Sequence, residues 1–224
     1  MTPGQFCSVL NRFLTDGLVD GVFYAVQTHQ VIEHGSMMNI RPVQGMGMIA
    51  DGGISVDEYL ELLERGIYSA VFPDGSIFYV ELTFDGRRIH SHRYFYIPCP
   101  FAPSVGAGMP VHFELAEWLR GSAELEGLSV LRSVGTYRFD CVRLAGETVD
   151  PHPVSHLTFG SADCRIPVKG PLSVSSFLHF IFDNFARPTQ RFWLNYAPYL
   201  VSGGDEVTIS GVEMQRHHLM WDNG

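Results

Sequence analysis

The sequence has few cysteines, a shortage of positive charge and no long apolar run, and each shortage excludes a class of protein. Its four cysteines, Cys7, Cys99, Cys141 and Cys164, form no C-x-x-C pair, which argues against a zinc ribbon and a disulfide framework. Lysine and arginine number 15 against 24 aspartates and glutamates, and this formal charge of -9 argues against a broad nucleic-acid-binding surface and against adhesion to anionic membranes. No stretch approaches the ~18 apolar residues of a membrane span. No basic segment followed by an apolar run stands at the N-terminus, so we expect a soluble cytoplasmic protein with reduced thiols.

The length and the hydrophobic content indicate one domain. A chain of 224 residues with 46% hydrophobic residues is long enough to bury a sizeable core. We interpret residues 1–224 as a single domain in which 1–55 form an N-terminal extension of helix, strand and loop, and 56–224 form the core. The span from Gly35 to Gly53 has no clean period and is predicted to be a long loop.

Apolar periodicity predicts the helices and strands. Ser55 and Glu58 are spaced as a capping box that opens a helix over 56–65, and Ser173 is a good N-cap for an apolar helix that ends before Pro188. Two further helices are predicted over 4–16 and 111–120. Strands are predicted over 67–72, 76–84, 87–97, 134–144, 154–159, 163–168 and 206–214. The pattern predicts an α+β fold, a mainly antiparallel sheet of about six or seven strands with three or four helices packed on one face.

The three strands before the apolar helix each have a charged side and an apolar side. Alternation puts Arg138 and Asp140 on one face of their strand and Tyr137, Phe139 and Cys141 on the other. We expect the apolar sides to pack on the helix and the charged sides to face outward.

These charged sides supply the candidate site, in which His92 and His156 would be an acid/base pair that Asp140 helps to orient. Imidazoles suit this role because their unperturbed pKa lies near neutrality. Arg138 and Arg165 would bind a phosphate group. Further substrate contacts would come from His90, Glu81 and His152. No metal and no other cofactor is expected for this chemistry.

Two other interpretations of the same residues remain open. The charged sides could form a solvated polar face in which Arg138 and Asp140 make a structural ion pair. His90 and His92 could instead bind a metal, with His156 or Asp140 completing the ligand set. The methionine-rich segment from Met37 to Met48 could contact a partner protein.

Several short segments resemble the bacterial family known as domain of unknown function 2290. They are Ile67-Tyr-Ser-Ala-Val-Phe-Pro-Asp-Gly-Ser76, His92-Arg-Tyr-Phe-Tyr-Ile-Pro98, Arg138-Phe-Asp140, His152-Pro-Val-Ser-His156 and Arg165-Ile-Pro167, followed by the Phe-x-x-Phe-Ile-Phe helix. The resemblance implies a shared fold and a shared polar site but no reaction. The His-Pro-x-x-His segment ahead of a helix is also similar, more faintly, to toxins of the TumE type.

From these observations we expect an effector of a bacterial conflict system, a toxin or a phage-defence protein, that acts on RNA or a nucleotide phosphate. The alternative is a non-catalytic accessory protein whose polar residues stabilise the fold and whose loops bind a partner protein.

Overall fold

A computed structural model describes residues 1–44, 54–101, 114–126, 135–143, 153–160, 164–185, 190–201 and 206–220. Within these residues the chain forms five α-helices and two short 3₁₀ turns. The helices are α1 (Pro3–Val19), α2 (Val56–Glu64), α3 (Leu115–Glu126), α4 (Val174–Asn184) and α5 (Gln190–Leu194). The 3₁₀ turns are Ala197–Tyr199 and Glu213–Gln215. Among the described helices, none is both long enough and apolar enough to cross a bilayer.

Side-chain caps fix the beginnings of three helices. The Ser55 hydroxyl accepts from the Glu58 N–H while the Glu58 carboxylate accepts from the Ser55 N–H, which is the predicted capping box of α2. Thr2 and Gln5 make the same arrangement at α1. Ser173 caps α4 by accepting from the Ser176 N–H, as predicted. The caps satisfy backbone donors that the first turn of a helix leaves unpaired.

The described strands form one antiparallel sheet. They are β1 (Ala25–Val26), β2 (His29–His34), β3 (Met37–Pro42), β4 (Ala70–Val71), β5 (Ile77–Asp85), β6 (Arg88–Ile97), β7 (Tyr137–Val142), β8 (Ser155–Phe159) and β9 (Arg165–Pro167). The main order is β1-β4-β5-β6-β7-β8-β9, and the β2–β3 hairpin joins it where β3 pairs with β5. Gly75 and Gly86 make the two turns on either side of β5, each with a positive φ that suits glycine.

The two faces of the sheet are covered by different helices. On the first face, Phe78 and Val80 of β5, Tyr94 of β6 and Phe139 of β7 pack with α1 and α4 in a large aromatic core. On the second face, Ile77, Tyr79, Phe95 and Ile97 pack with α2 and α3 in a smaller core. The second core covers only the part of its face that lies near the β4–β5 turn.

The fold class is confirmed as a single α+β domain, with corrections to its details. The described sheet has nine strands, not six or seven, and the helices pack on both faces instead of one. Residues 37–42, predicted as loop, form β3, because backbone pairing with β2 and β5 overrides their weak period. The N-terminal extension therefore belongs to the sheet, and α1 to the first core.

Two further boundaries differ from the prediction. The helix predicted at 111–120 is described from Leu115 and runs to Glu126. The strand predicted at 206–214 is wrong: residues 206–210 run without regular structure, and Thr208 N–H donates to the Lys169 carbonyl. A Cβ atom on Gly170 would meet the Glu206 carbonyl oxygen at 1.8 Å, so only glycine allows this close approach of the two backbones.

Candidate functional site

The strand register places His92 and His156 on opposite faces of the sheet. His92 pairs with Cys141, whereas His156 pairs with Asp140. Because side chains of adjacent residues in a strand point to opposite faces, Asp140 and Cys141 separate the two rings. The expectation that the two imidazoles share one hollow is therefore wrong. The register between neighbouring strands decides which face each ring occupies, and periodicity within one strand does not give that register.

His92 lies in the first core, where both of its ring nitrogens are engaged. Its Nδ1–H donates to the Phe139 carbonyl at 3.2 Å, and Nε2 accepts from the Leu172 N–H at 2.9 Å. The ring stacks on Tyr94 with centroids 4.3 Å apart, and the residue is 4% exposed. Burial lowers the pKa of His92 to about 3, although the Phe139 hydrogen bond opposes that shift. A neutral, enclosed imidazole of this kind is a structural link between β6, β7 and the start of α4.

On the second face, four polar residues stand side by side on four neighbouring strands. Glu81 of β5 pairs with Arg93 of β6, Arg93 with Asp140 of β7, and Asp140 with His156 of β8. We call Glu81, Arg93, Asp140 and His156 the polar row. Strands in a sheet are about 4.8 Å apart, so each member of the row can contact the next.

Asp140 is the centre of this row. Its Oδ2 lies 2.6 Å from the Nε of Arg138 and 3.6 Å from the Nε2 of His156, and its Oδ1 lies 3.5 Å from the Nε of Arg93. Arg138 is two residues before Asp140 on the same strand and therefore on the same face. Asp140, Arg138 and His156 are all buried. The interpretation of these residues as a solvated face is therefore wrong, because they are buried. The ion pair of Arg138 and Asp140 that the same interpretation predicted is present.

His156 is held from two sides. Its Nδ1–H donates to the Pro153 carbonyl at 2.9 Å, which fixes the position of one proton and turns Nε2 toward Asp140. The residue is 2% exposed. His156 and Arg138 therefore fix the Asp140 carboxylate from both sides, as expected for groups that position a charged centre.

Arg93 connects the buried centre to the surface. Its side chain is 37% exposed, and it reaches Asp140 through Nε. In the described part of the chain, Arg93 has no ion pair besides that with Asp140, and its terminal guanidinium nitrogens make no hydrogen bond. They are consequently available to a ligand that approaches from outside.

A groove of about 200 Å³ opens beside the polar row. Its lining on the second face includes Glu81, Thr83, Ser91, Arg93 and Val142. The Glu81 carboxylate is already engaged, because it accepts from the Tyr79 hydroxyl at 2.9 Å and from the Asn39 amide at 3.3 Å. The groove therefore combines one exposed guanidinium with two hydroxyls, groups that can all donate to an anion.

The other predicted site residues are dispersed. Arg165 pairs with Thr158 and lies on the second face, like Arg138, but at the β9 edge of the sheet. His90 is the extra residue of a β-bulge in β6, because Ser91 pairs with Thr83 and Ile89 pairs with Phe84. The resulting phase shift buries Ile89 in the first core. His152 lies outside the described residues. Of the eight candidates, the sheet brings Glu81, Arg138, Asp140, His156 and Arg165 to one face.

Two functional candidates were missed by the sequence interpretation, Arg93 and Arg41. Arg41 follows the buried Ile40 in β3 and so points to the second face, where its charge opposes the high pKa of Tyr79 that burial causes. Alternation along 87–97 already places Arg93 opposite the histidines of its strand. The sequence therefore contains the signal for Arg93, whereas imidazole content selects His92, which lies on the other face.

The metal interpretation is not supported at His92, since ligation would break its bonds to Phe139 and Leu172. In the described residues, no three histidine, cysteine, aspartate or glutamate side chains form a group that could hold a metal ion. The cationic neighbours of Asp140 on the second face, Arg93 and Arg138, are arginines, which do not ligate metals.

Fold and site together define an α+β protein with a buried charge network on one face of an antiparallel sheet. The chain belongs to the family described as an uncharacterised conserved protein, DUF2290, whose model matches residues 20–221. A search of curated proteins and a search of solved structures both found no match. The fainter similarity to TumE-type toxins has no counterpart in these comparisons.

Proposed function

We propose that the chain is an effector of a bacterial conflict system that binds a phosphate group of RNA or of a nucleotide in the groove beside Arg93. The observation that carries this proposal is the polar row, which ends at an exposed guanidinium next to two hydroxyls. Arginine is suited to phosphate because its planar donors match two phosphate oxygens at once.

The charge balance of the second face supports an anionic ligand. In the described strands of this face, Asp85 and Arg88 pair at the β5–β6 turn and cancel in charge; the other arginines are Arg41, Arg93, Arg138 and Arg165, and the other carboxylates are Glu81 and Asp140. Four guanidiniums against two carboxylates leave an excess of two positive charges in a chain that is acidic as a whole. A bound phosphate would neutralise that excess, and local positive potential raises the rate at which anions arrive.

The residues of the site either contact the phosphate or position the residue that does. Arg93 contacts the phosphate, and Ser91 and Thr83 donate to its oxygens. Asp140 holds Arg93 through Nε, and the buried Arg138 and His156 hold Asp140 in turn, so these three are positioning residues. The proposal makes no use of a His92–His156 pair, because that chemistry needs both rings in one pocket.

The site is tested by equilibrium binding of inorganic phosphate, adenosine monophosphate and a single-stranded RNA oligomer to the purified chain. Arg93→Gln should lower the affinity for the ligand that binds by about tenfold or more, since a charge-assisted hydrogen bond is worth roughly 1.5–3 kcal/mol. Arg87→Gln removes the same charge from an exposed position at the β5–β6 turn and should leave affinity within about twofold. Equal affinities of wild type and Arg93→Gln would overturn the proposal.

The effector role is tested by expression in bacteria, because RNA and nucleotides are found in the cytoplasm. Wild type should arrest growth and alter the RNA or nucleotide pool, whereas Arg93→Gln, at equal abundance, should do neither. The same growth arrest with both proteins would show that the groove has no part in the effect.

A second candidate function is that of a non-catalytic accessory protein. The observation that favours it is the enclosure of both imidazoles, each of which is buried and hydrogen-bonded to backbone. This candidate predicts no change of any RNA or nucleotide in the presence of the pure chain. Turnover by the pure chain that Arg93→Gln abolishes would exclude it.

A further inference from the structure

A second group of polar side chains lies on the second face, one row along the strands from the polar row. The register pairs Arg138 of β7 with Thr158 of β8, and Thr158 with Arg165 of β9. Directly opposed residues of neighbouring strands point to the same face, so the Thr158 hydroxyl stands between two arginines. We call Thr158 and Arg165 the β9 pair.

Both members of the β9 pair are unpartnered within the described ranges of the chain. Thr158 is 6% exposed, and its buried hydroxyl makes no hydrogen bond. The buried Nε of Arg165 makes none either, and its guanidinium has no ion pair with a described residue. Buried polar groups in folded proteins nearly always have a partner, since leaving one unpaired costs free energy. Two neighbouring exceptions therefore point to a ligand.

The chemistry of the β9 pair favours an anion. A guanidinium can only donate hydrogen bonds, and a threonine hydroxyl can donate one, so a single anionic oxygen satisfies both groups. Charge balance leads to the same ligand. Arg138, on the other side of Thr158, has its counter-charge in Asp140, whereas no described carboxylate lies within ion-pair distance of Arg165.

The β9 pair can be reached from the margin of the sheet. β9 is the terminal strand in the order of described strands, and Arg165 is partly exposed there. Gly160, two residues after Thr158, is exposed and has open space at its Cβ position. Thr136, which has another buried and unpartnered hydroxyl, lies beside Gly160, because its carbonyl accepts from the Gly160 N–H.

We propose that the β9 pair binds a second phosphate of a single strand of RNA whose first phosphate contacts Arg93. This inference rests on the proposed function and narrows its ligand from any nucleotide to an RNA strand. Proteins that bind single strands place positive side chains along the path of the phosphate backbone in this way.

The separation of the two sites favours a strand over a mononucleotide. Arg93 is on β6 and Arg165 is on β9, three strand spacings away, or about 14 Å across the sheet. The Asp140 carboxylate of β7 lies between them, so one phosphate that contacted both arginines would stand over a negative charge. A strand of several nucleotides can instead place one phosphate on each side of Asp140.

The test compares the affinities of an RNA octamer and of adenosine monophosphate for the purified chain. Arg165→Gln should lower the affinity for the octamer about tenfold, because it removes a charge-assisted hydrogen bond. The affinity for adenosine monophosphate should stay within about twofold, because its one phosphate occupies the groove. The slope of log affinity against log salt for the octamer should decrease by about 0.7, the value for one phosphate contact of a single strand.

Arg12→Gln is the matched control. It removes the same charge from a side chain that is 78% exposed on α1, the helix that covers the first face. Both affinities and the salt slope should remain those of wild type.

Thr158→Val separates ligand binding from a structural role of the hydroxyl. Valine has nearly the same shape, so the variant should bind the octamer about tenfold more weakly. Its melting temperature should equal or exceed that of wild type, because the hydroxyl has no partner to lose. A lower melting temperature with unchanged octamer affinity would assign Thr158 to the fold and overturn the inference.

Arg93→Gln distinguishes this inference from the proposed function, since it should weaken binding of both ligands. If Arg93→Gln binds both like wild type while Arg165→Gln loses the octamer, the groove proposal fails and the β9 pair stands. Wild-type octamer affinity in both Arg165→Gln and Thr158→Val would overturn the inference and leave the groove unaffected. Equal losses for the octamer and adenosine monophosphate in Arg165→Gln would also overturn it, because they would indicate a single phosphate site.

Discussion

His92 and His156 show two different ways of burying a histidine in one sheet. His92 is enclosed by aromatic rings and backbone groups, and burial lowers its pKa to about 3. His156 is enclosed as deeply, but its Nε2 faces a carboxylate that two arginines also contact. The first arrangement is stable only while the imidazole stays neutral. The second is stable because the buried carboxylate has positively charged partners. The two faces of the sheet should therefore respond to different perturbations.

The largest expected effect comes from Asp140→Asn, which breaks the balance on the second face. Arg138 and the other partners of Asp140 would lose their buried counter-charge, and uncompensated buried charges of this kind cost about 3–5 kcal/mol in the free energy of unfolding. Urea denaturation at pH 7 measures the loss. Glu81→Gln changes a partly exposed carboxylate of the same row and should cost less than about 1 kcal/mol. A loss below about 1 kcal/mol for Asp140→Asn would show that the network does not stabilise the fold.

Lowering the pH tests the first face. The pKa of His92 in the folded chain lies below its unfolded value near 6.5, so its contribution to stability is complete above pH 6.5 and is lost as the pH falls toward 3. Between pH 7 and pH 5 this costs about 2 kcal/mol. The pKa of His29, lowered by burial to about 4, adds a loss of the same sign.

The variant that isolates this effect is His92→Gln, whose side-chain oxygen can still accept from the Leu172 N–H. Its free energy of unfolding should be lower at pH 7 but should fall by about 2 kcal/mol less than wild type between pH 7 and pH 5. The exposed His34→Gln serves as the control and should follow the wild-type curve. Parallel curves for wild type and His92→Gln would contradict a neutral, buried His92.

The comparison also shows why part of the architecture could be predicted from sequence and part could not. The caps at Ser55 and Ser173 and the turn at Gly75 were predictable because they depend on neighbouring residues. Alternation likewise sorted Arg138 and Asp140 from Phe139. Which strand lies beside which, and in what register, depends on distant segments, and this decides that Asp140 meets His156 while Cys141 meets His92.

Burial of the candidate site was unpredictable for a similar reason. A strand with one charged side normally exposes that side, whereas Arg138 and Asp140 are enclosed and neutralise each other. The pairing of Met37–Pro42 with β5 depends equally on long-range hydrogen bonds. The sequence patterns thus predict local elements and faces, but the site needs the assembled sheet.

A smaller effect is expected where the C-terminal segment meets the sheet. Gly170→Ala would force a Cβ atom against the Glu206 backbone and should cost about 1–3 kcal/mol through displacement of 206–210. Glu206 pairs with both Arg88 and Arg143, so the displacement would also free two guanidiniums. Limited proteolysis measures it, since cleavage near the C-terminus should accelerate.

Gly121→Ala is the control for that change. Gly121 is in α3 with open space around its Cβ position, and alanine there should be neutral or stabilise by about 0.5–1 kcal/mol. Cleavage of Gly170→Ala at the wild-type rate would mean that the segment does not lie against Gly170 in solution.

The smallest expected effects compare the caps of the two helical layers. Ser55→Ala removes the cap of α2 on the second face, and Ser173→Ala removes the cap of α4 on the first face. Each should cost about 1 kcal/mol. Thermal unfolding measures both, and Ser8→Ala, at an exposed serine inside α1, is the comparison that should change little. A loss confined to one cap would show that only one layer contributes to the cooperative unit.

The most direct test of the phosphate site is a titration with inorganic phosphate followed by the Nε–Hε resonances of the arginines in a nitrogen-15 NMR spectrum. Arg93→Gln and Arg87→Gln assign the two resonances that matter. The groove predicts a saturable shift of the Arg93 resonance while that of Arg87 stays constant. A constant Arg93 resonance, or equal and unsaturable shifts of both, would contradict phosphate binding at the polar row.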